Sequence, residues 1–194
     1  GHGFTFAVYD CEGGVIPEDV RACDGWLITG SKHGAYEDHA WIPPLEAFIR
    51  DVHAARVPMV GICFGHQIIA QALGGRVEKF EGGWSIGHTT YRIEGEDLSL
   101  NAWHQDQVVE VPEEATVIGQ SDFCRYAAMS YGDHIYTVQP HPEFGADMIA
   151  FLLKYRGPGV VPQPVLEAAL TRLDAPTHHP AIAARIAGVL KKGA

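Results

Sequence analysis

The sequence has few cysteines and few basic residues. The four cysteines, Cys11, Cys23, Cys63 and Cys124, are widely spaced and form no Cys-x-x-Cys pair, so neither a disulfide framework nor a cysteine zinc site is predicted. Only 14 lysines and arginines stand against 24 aspartates and glutamates, and the net charge of -10 argues against a nucleic-acid-binding surface. A reducing cytoplasm is the simplest location for a protein with this cysteine usage.

Long apolar runs and metal-ligand patterns are also missing from the sequence. No segment reaches the ~18 apolar residues that suggest a membrane span, and the opening residues GHGFTFAVYD do not have the pattern of a signal peptide. Among the eleven histidines, His33, His39 and His53 have no carboxylate or cysteine partner at ligand spacing. We therefore expect neither a membrane span nor a bound metal.

The first half of the chain alternates between strand-like and helix-like segments. Short runs rich in β-branched and aromatic residues predict strands at 4–9, 26–29 and 57–62. Apolar residues at helical spacing occur in WIPPLEAFIRDVHAA and in HQIIAQAL, which ends at two glycines. This alternation predicts an α/β fold with three layers, in which a mostly parallel central sheet is flanked by helices.

The pattern changes after Arg76. Short alternating runs such as TTYRIE, QVVEV, TVIGQ and HIYTVQ predict antiparallel strands and hairpins added to the sheet. The segment FGADMIAFLLKY has helical spacing, and two short amphipathic helices follow the GPG at 157–159. We therefore expect one domain at 1–156 and a C-terminal helical extension at 157–194.

The stretch VGICFGHQIIAQALGG places one cysteine in a tight turn between a strand and a helix. Gly-x-Cys-x-Gly is the nucleophile-elbow pattern with sulfur in place of oxygen, since Gly61 and Gly65 let the backbone fold sharply around Cys63. The helix that follows directs its N-terminal dipole at the sulfur, which favours the thiolate. The N–H of Phe64 is placed to bind an oxyanion. Taken alone, the stretch fits a buried structural cysteine equally well.

The segment VQPHPEF supplies a base for such a nucleophile. His141 follows a predicted strand, and Glu143 lies two residues later on the same side of an extended chain, where it can fix the imidazole tautomer. Taken alone, this segment fits a surface turn. Together with the elbow, Cys63, His141 and Glu143 form a nucleophile, a base and an orienting acid.

These motifs resemble those of the class I glutamine amidotransferases. The resemblance rests on GICFGHQ and HPE, and it extends through LITGSKHG, ALGGRV and WHQDQV. It implies a flavodoxin-like core, a Cys-His-Glu triad, and hydrolysis of the side-chain amide of L-glutamine to release ammonia, without a cofactor. It also implies an oxyanion hole built from the backbone of Gly30, Ser31 and Phe64.

The resemblance also implies residues that hold the substrate. Gln67 is expected to contact the glutamyl group, and Trp103, His104 and Gln105 are expected to line the α-amino and α-carboxyl end, largely through backbone atoms. Ordinary packing explains the last three equally well. The segment resembling GFTFAVYD normally follows a strand and a helix in this family, so we expect a first β-α unit of about 30 residues to be missing from the sequence.

The acceptor of the ammonia is left open by the sequence. Neither a Gly-x-x-x-x-Gly-Lys-Ser/Thr loop nor a Ser-Gly-Gly-x-Asp-Ser loop occurs in it, so a separate synthetase subunit is one expected partner. The loop Gly-Ser-Lys-His-Gly and the residues from Asp38 to Ile42 also resemble stand-alone members, including the plant γ-glutamyl peptidases. A γ-glutamyl peptidase is therefore the alternative, with residues 32–39 and Trp84 as the expected walls of the leaving-group space.

Two further alternatives are less consistent with the motifs. In the dienelactone-hydrolase type of α/β-hydrolase the acid precedes the histidine, whereas here Glu143 follows His141. A non-catalytic binding module of the same fold is expected to have lost Cys63, His141 or Glu143, and all three are present.

Overall fold

A seven-stranded mixed sheet organises the computed structural model, which describes residues 2–193. The strands are β1 (Trp26–Ile28), β2 (Met59–Ile62), β3 (Arg76–Lys79), β4 (Ser85–Ile93), β5 (Glu96–His104), β6 (Asp106–Glu110), β7 (Ala115–Gln120), β8 (Ala128–Tyr131) and β9 (Ile135–Val138). The helices are α1 (Ile42–Ala54), α2 (Phe64–Ala72), α3 (Ala146–Tyr155), α4 (Gln163–Leu170) and α5 (His179–Leu190). Within the described range, no helix combines the length and the apolar character needed to cross a bilayer.

The strand order in the sheet is β1-β2-β9-β8-β7-β4-β5, and β3 pairs with β6 in a separate ribbon. β2 lies between β1 and β9 and runs parallel to both, whereas β8, β7, β4 and β5 continue the sheet with antiparallel pairing. The predicted α/β class with an antiparallel addition is confirmed. The antiparallel strands lie in the part of the chain after Arg76, where the sequence predicts them.

Alternating residues of the parallel strands face two different cores, which produces the three layers. Met59 of β2 and Ile135 of β9 pack into the core that holds α1 and α2. Their neighbours Val60 and Tyr136 point the other way and share a core with Ile182 of α5. The second of the two C-terminal helices therefore covers one face of the strands that carry the site.

The strand predicted at 4–9 does not form, and this prediction is wrong. The segment has irregular backbone, and Phe6 and Val8 are 76% and 92% exposed. β-propensity measures how well a side chain fits a pleated, half-buried surface, and this segment pairs with no strand among residues 2–193. Tyr9 at its end packs edge-on against Trp26, with 5.6 Å between the ring centroids.

Candidate active site

Cys63 lies between the last residue of β2 and the first residue of α2. Its backbone has φ +53° and ψ -103°, a conformation that residues with a side chain rarely adopt and that costs on the order of 1–3 kcal/mol. Two hydrogen bonds hold it there: the Cys63 N–H donates to the Val138 carbonyl at 2.9 Å, and the Cys63 carbonyl accepts from the Gln67 N–H at 3.1 Å. The expected nucleophile therefore has a strained backbone.

The two glycines of the motif allow close contacts between backbone segments. A Cβ on Gly61 would lie 2.5 Å from the carbonyl carbon and oxygen of Gly65. A Cβ on Gly65 would overlap the carbonyl oxygen of Ile28 in β1. Glycine at both positions therefore lets α2 begin directly against the ends of β1 and β2, with its N-terminus beside Cys63.

The imidazole of His141 is held on several sides. Its Nδ1 lies 2.6 Å from Glu143 Oε1, and the Phe144 ring stacks on it with 3.9 Å between centroids and 3° between planes. The backbone N–H of His141 donates to the Asn101 carbonyl of β5 at 2.8 Å. Neither Asn101 nor Phe144 was identified from the sequence, because neither belongs to a recognisable motif.

The charges around His141 favour its protonated form. Burial lowers the pKa of this imidazole, but the charge of the Cys63 thiolate, a hydrogen bond with its sulfur and the contact with Glu143 outweigh burial and raise the pKa to about 9. In general, a protonated imidazole beside a cysteine favours the thiolate, which is the nucleophilic form of that side chain.

The loop after β1 brings Gly30 to the same place. A Cβ on Gly30 would lie 3.0 Å from His141 Cε1 and 3.8 Å from Cys63 Cβ, so the loop leaves no room for a larger residue. Ser31 follows, and its hydroxyl accepts a hydrogen bond from the His33 N–H at 3.2 Å. The Phe64 side chain points into the core, so this residue offers the site its backbone N–H, which has no partner within the helix.

Two buried amides connect the expected substrate-binding residue to the sulfur. Gln67 Nε2 donates to the Asp106 carbonyl at 2.9 Å and to Gln139 Oε1 at 3.1 Å. Gln139 Nε2 in turn lies 3.6 Å from Cys63 Sγ. Sequence analysis missed Gln139, although strand alternation places it on the same side of the chain as His141, two residues later.

The three residues expected at the far end of the substrate are Trp103, His104 and Gln105. Trp103 is half-buried against Trp84, with 6.2 Å between ring centroids. His104 is buried, and burial lowers the pKa of its imidazole to about 4. Gln105 Nε2 donates to the Phe80 carbonyl at 3.2 Å. Each side chain thus has a protein neighbour of its own, and the role expected of the three residues, largely through backbone atoms, stays a prediction.

The sequence also matches a known protein-family model. The model described as glutamine amidotransferase class-I matches residues 17–148, which include Cys63, His141 and Glu143. The chain belongs to the class I glutamine amidotransferases.

The names of the curated relatives state different activities. The chain is 35% identical over 144 residues to γ-glutamyl peptidase 2 of Arabidopsis thaliana, a match that covers 68% of this chain but 58% of that protein. It is 34% identical over 164 residues to one subunit of the glutamine-hydrolyzing GMP synthase of Methanopyrus kandleri, covering 73% of this chain and 81% of that protein. A crystal structure of a glutamine amidotransferase from Methylobacillus flagellatus superposes with a TM-score of 0.76 at 28% identity, covering 92% of this chain and 80% of that one.

The chain also has a polar cluster in the loop before α1. Glu37 Oε2 lies 3.2 Å from His33 Nδ1 and 2.7 Å from His39 Nε2. His53, in α1, contacts Glu114 at 2.9 Å. The statement that these histidines have no carboxylate partner is therefore wrong, because turns and distant segments bring the carboxylates to them.

Proposed function

We propose that this chain is a glutaminase, which hydrolyses the side-chain amide of L-glutamine through a thioester on Cys63. The observation that carries the proposal is the arrangement around the sulfur. Cys63 has a strained backbone at the end of β2, and Gly30 lies against both Cys63 and the imidazole of His141, which Glu143 holds at 2.6 Å. Membership of the amidotransferase family supports the same chemistry.

The first half of the reaction forms the thioester. The sulfur of Cys63 attacks the amide carbon, and the oxyanion that forms accepts hydrogen bonds from the N–H groups of Phe64 and the Gly30–Ser31 turn. His141 then gives its proton to the amide nitrogen, the C–N bond breaks, and ammonia leaves.

The second half releases glutamate. Water adds to the thioester carbonyl while His141 takes a proton from it, and the C–S bond breaks to return the thiolate. Glu143 keeps the Nδ1 side of the ring occupied, so that Nε2 carries out both proton transfers. The ammonia is used by an acceptor on a separate synthetase protein, a proposal that the similarity to the GMP synthase of Methanopyrus kandleri supports.

A γ-glutamyl peptidase is the second candidate, and the identity with γ-glutamyl peptidase 2 favours it. Both reactions use the same glutamyl half, nucleophile and oxyanion hole, and they differ in the leaving group. The choice therefore depends on the space beyond the scissile bond. The loop at 32–39 borders this space, and Tyr36, which is exposed, lies with its hydroxyl 3.2 Å from Asp106 Oδ1.

The deciding assay measures kcat/KM of the isolated protein for L-glutamine and for a set of γ-glutamyl dipeptides. We expect the larger value for glutamine. A preference of about 100-fold for dipeptides, equivalent to about 2.7 kcal/mol at the transition state, would reverse the order of the two candidates.

Covalent labelling tests the nucleophile independently of the substrate. A glutamine-analogue electrophile should add once per chain and be lost in Cys63→Ala. It should still add in Cys124→Ala, because Cys124 is buried and burial raises the pKa of its thiol to about 12. Undiminished labelling of Cys63→Ala would show that Cys63 is not the nucleophile.

A further inference from the structure

We propose that His33, Glu37 and His39 form a binding site for Zn²⁺ or a divalent cation of similar ligand preference. One ligand atom from each of these three residues lies within 4.8 Å of the other two. Two imidazoles and one carboxylate form a set that Zn²⁺ takes in proteins, with the fourth position left for water. These residues belong to the loop at 32–39 that borders the proposed leaving-group space, but cation binding does not depend on the glutaminase chemistry.

The distances between the ligand atoms suit a tetrahedral ion. With metal–ligand bonds of about 2.0–2.1 Å, neighbouring ligand atoms of a tetrahedron are about 3.3 Å apart. Glu37 Oε2 is 3.2 Å from His33 Nδ1 and 2.7 Å from His39 Nε2. One carboxylate oxygen thus already faces both imidazole nitrogens, and small side-chain rotations place an ion between them.

The opposite nitrogen of His33 has the partner that a metal-ligating histidine usually has. His33 Nε2 lies 3.2 Å from Glu12 Oε1, and that carboxylate is itself held by Lys32 Nζ at 2.9 Å. A carboxylate in this position keeps the proton on Nε2 and directs the lone pair of Nδ1 to the metal. Glu12 therefore makes His33 an oriented ligand.

The ring of His39 is also fixed in direction. It stacks on the Trp41 indole, with 12° between the planes and 5.9 Å between the centroids. Trp41 packs in turn against the Phe64 ring of α2, 5.6 Å away. The two histidine ligands are consequently supported by neighbours, His33 by Glu12 on one side and His39 by the Trp41–Phe64 contact on the other.

A second histidine–carboxylate cluster provides a natural contrast. His53 directs Nδ1 to His134 Nε2 at 3.1 Å and Nε2 to Glu114 at 2.9 Å. Its two nitrogens face different partners on opposite sides of the ring, so the three residues do not converge on one point. The same residue types are therefore present there without the geometry of a site.

The experiment is a ZnCl2 titration of the Cys63→Ala protein by isothermal titration calorimetry, since this background has no active-site thiol to take the ion. We expect one Zn²⁺ per chain. His39→Gln and Glu37→Gln, each added to this background, should weaken binding by about 100-fold, and Glu12→Gln by about 10-fold through its effect on His33. The matched control His53→Asn should leave the affinity unchanged.

A CoCl2 titration of the same proteins gives a second readout, because Co²⁺ held by nitrogen and oxygen ligands in a four-coordinate site absorbs visible light strongly. Circular dichroism checks that each variant is folded, which is expected for substitutions in a surface loop. The proposal is overturned if the parent binds no Zn²⁺, if His39→Gln and Glu37→Gln bind it as tightly as the parent does, or if His53→Asn loses as much affinity as they do.

Discussion

The two ends of the parallel strands each carry a buried histidine, and they differ in the charges that surround it. At the carboxyl end, the thiolate of Cys63 and Glu143 outweigh burial and raise the pKa of His141 to about 9. At the amino end, His134 precedes β9, and burial, followed by the positive charge of Arg56 and the neighbouring His53, lowers the pKa of its imidazole. Anionic neighbours thus make one histidine a proton donor, whereas burial and a cationic neighbour keep the other neutral as part of the framework.

The largest expected effect distinguishes these two histidines. His141→Asn removes the proton donor and acceptor of the proposed reaction, so kcat/KM for glutamine should fall by about 10³- to 10⁴-fold. His134→Asn should lower the free energy of unfolding by about 1 kcal/mol and change kcat/KM of the folded protein less than twofold. Steady-state kinetics and urea unfolding of both variants measure the difference. Similar losses of kcat/KM in the two variants would mean that His141 and His134 do not differ in their role in the reaction.

A smaller effect is expected from crowding the imidazole. A Cβ on Gly30 would lie 3.0 Å from His141 Cε1, so Gly30→Ala should displace the ring and lower kcat by about 100-fold without unfolding the protein. Gly188→Ala in α5 is the matched control, because a Cβ there meets no atom of the described residues within 4 Å. It should leave kcat unchanged and add about 0.5–1 kcal/mol of stability. Wild-type kcat in Gly30→Ala would show that the loop does not restrain His141.

Acid should destabilise the fold through other buried histidines. Burial lowers the pKa of His66 to about 3 and that of His104 to about 4, so both stay neutral in the folded state at pH 5. The unfolded chain binds these protons below about pH 6.5, and the free energy of unfolding should therefore fall as the pH decreases, by about 2 kcal/mol per histidine between pH 7.5 and pH 5. Urea titrations measure this slope, which should be shallower in His66→Gln. An equally steep slope in His66→Gln would mean that His66 does not contribute to the loss of stability in acid.

The smallest effect is expected from neutralising Glu143. Its carboxylate helps to raise the pKa of His141, so Glu143→Gln should lower that pKa and reduce kcat/KM by about 10-fold. The stabilisation from a protonated His141 is complete below about pH 6.5 and is lost as the pH rises through about 9. In the variant this loss, and the alkaline limb of kcat/KM, should move to lower pH. The control Glu114→Gln, beside His53, should move neither of them. An unshifted alkaline limb in Glu143→Gln would mean that Glu143 does not contribute to the pKa of His141.

The turn at Cys63 could be predicted from the sequence because its requirements are local. Gly61 and Gly65 are needed within one turn of chain, and the contacts that exclude a Cβ at both positions involve immediate neighbours and the adjacent strand. The groups that face the sulfur could not be derived in the same way. Gln139 reaches Cys63 because β2 and β9 pair in one particular register, and no sequence motif marks a glutamine for that position.

Two errors have the same physical origin. The segment at 4–9 has strand-forming residues, but a strand needs a partner, and propensity does not reveal whether one is present. Glu37 lies within the loop before α1, and its contacts with His33 and His39 depend on the turns of that loop. In both cases the path of the folded backbone decides the contact, and residue propensity does not reveal that path.

The pairing of β2 with β9 also determines when the proposed nucleophile meets its proposed base. Ile62 is in register with Val138, and the Val138 carbonyl holds the Cys63 N–H. Ribosomes synthesise β9 and His141 after the entire antiparallel part, so a growing chain carries Cys63 without its base and without the bond that holds its turn. The proposed mechanism therefore requires that β9 has joined the sheet before Cys63 can form a thioester.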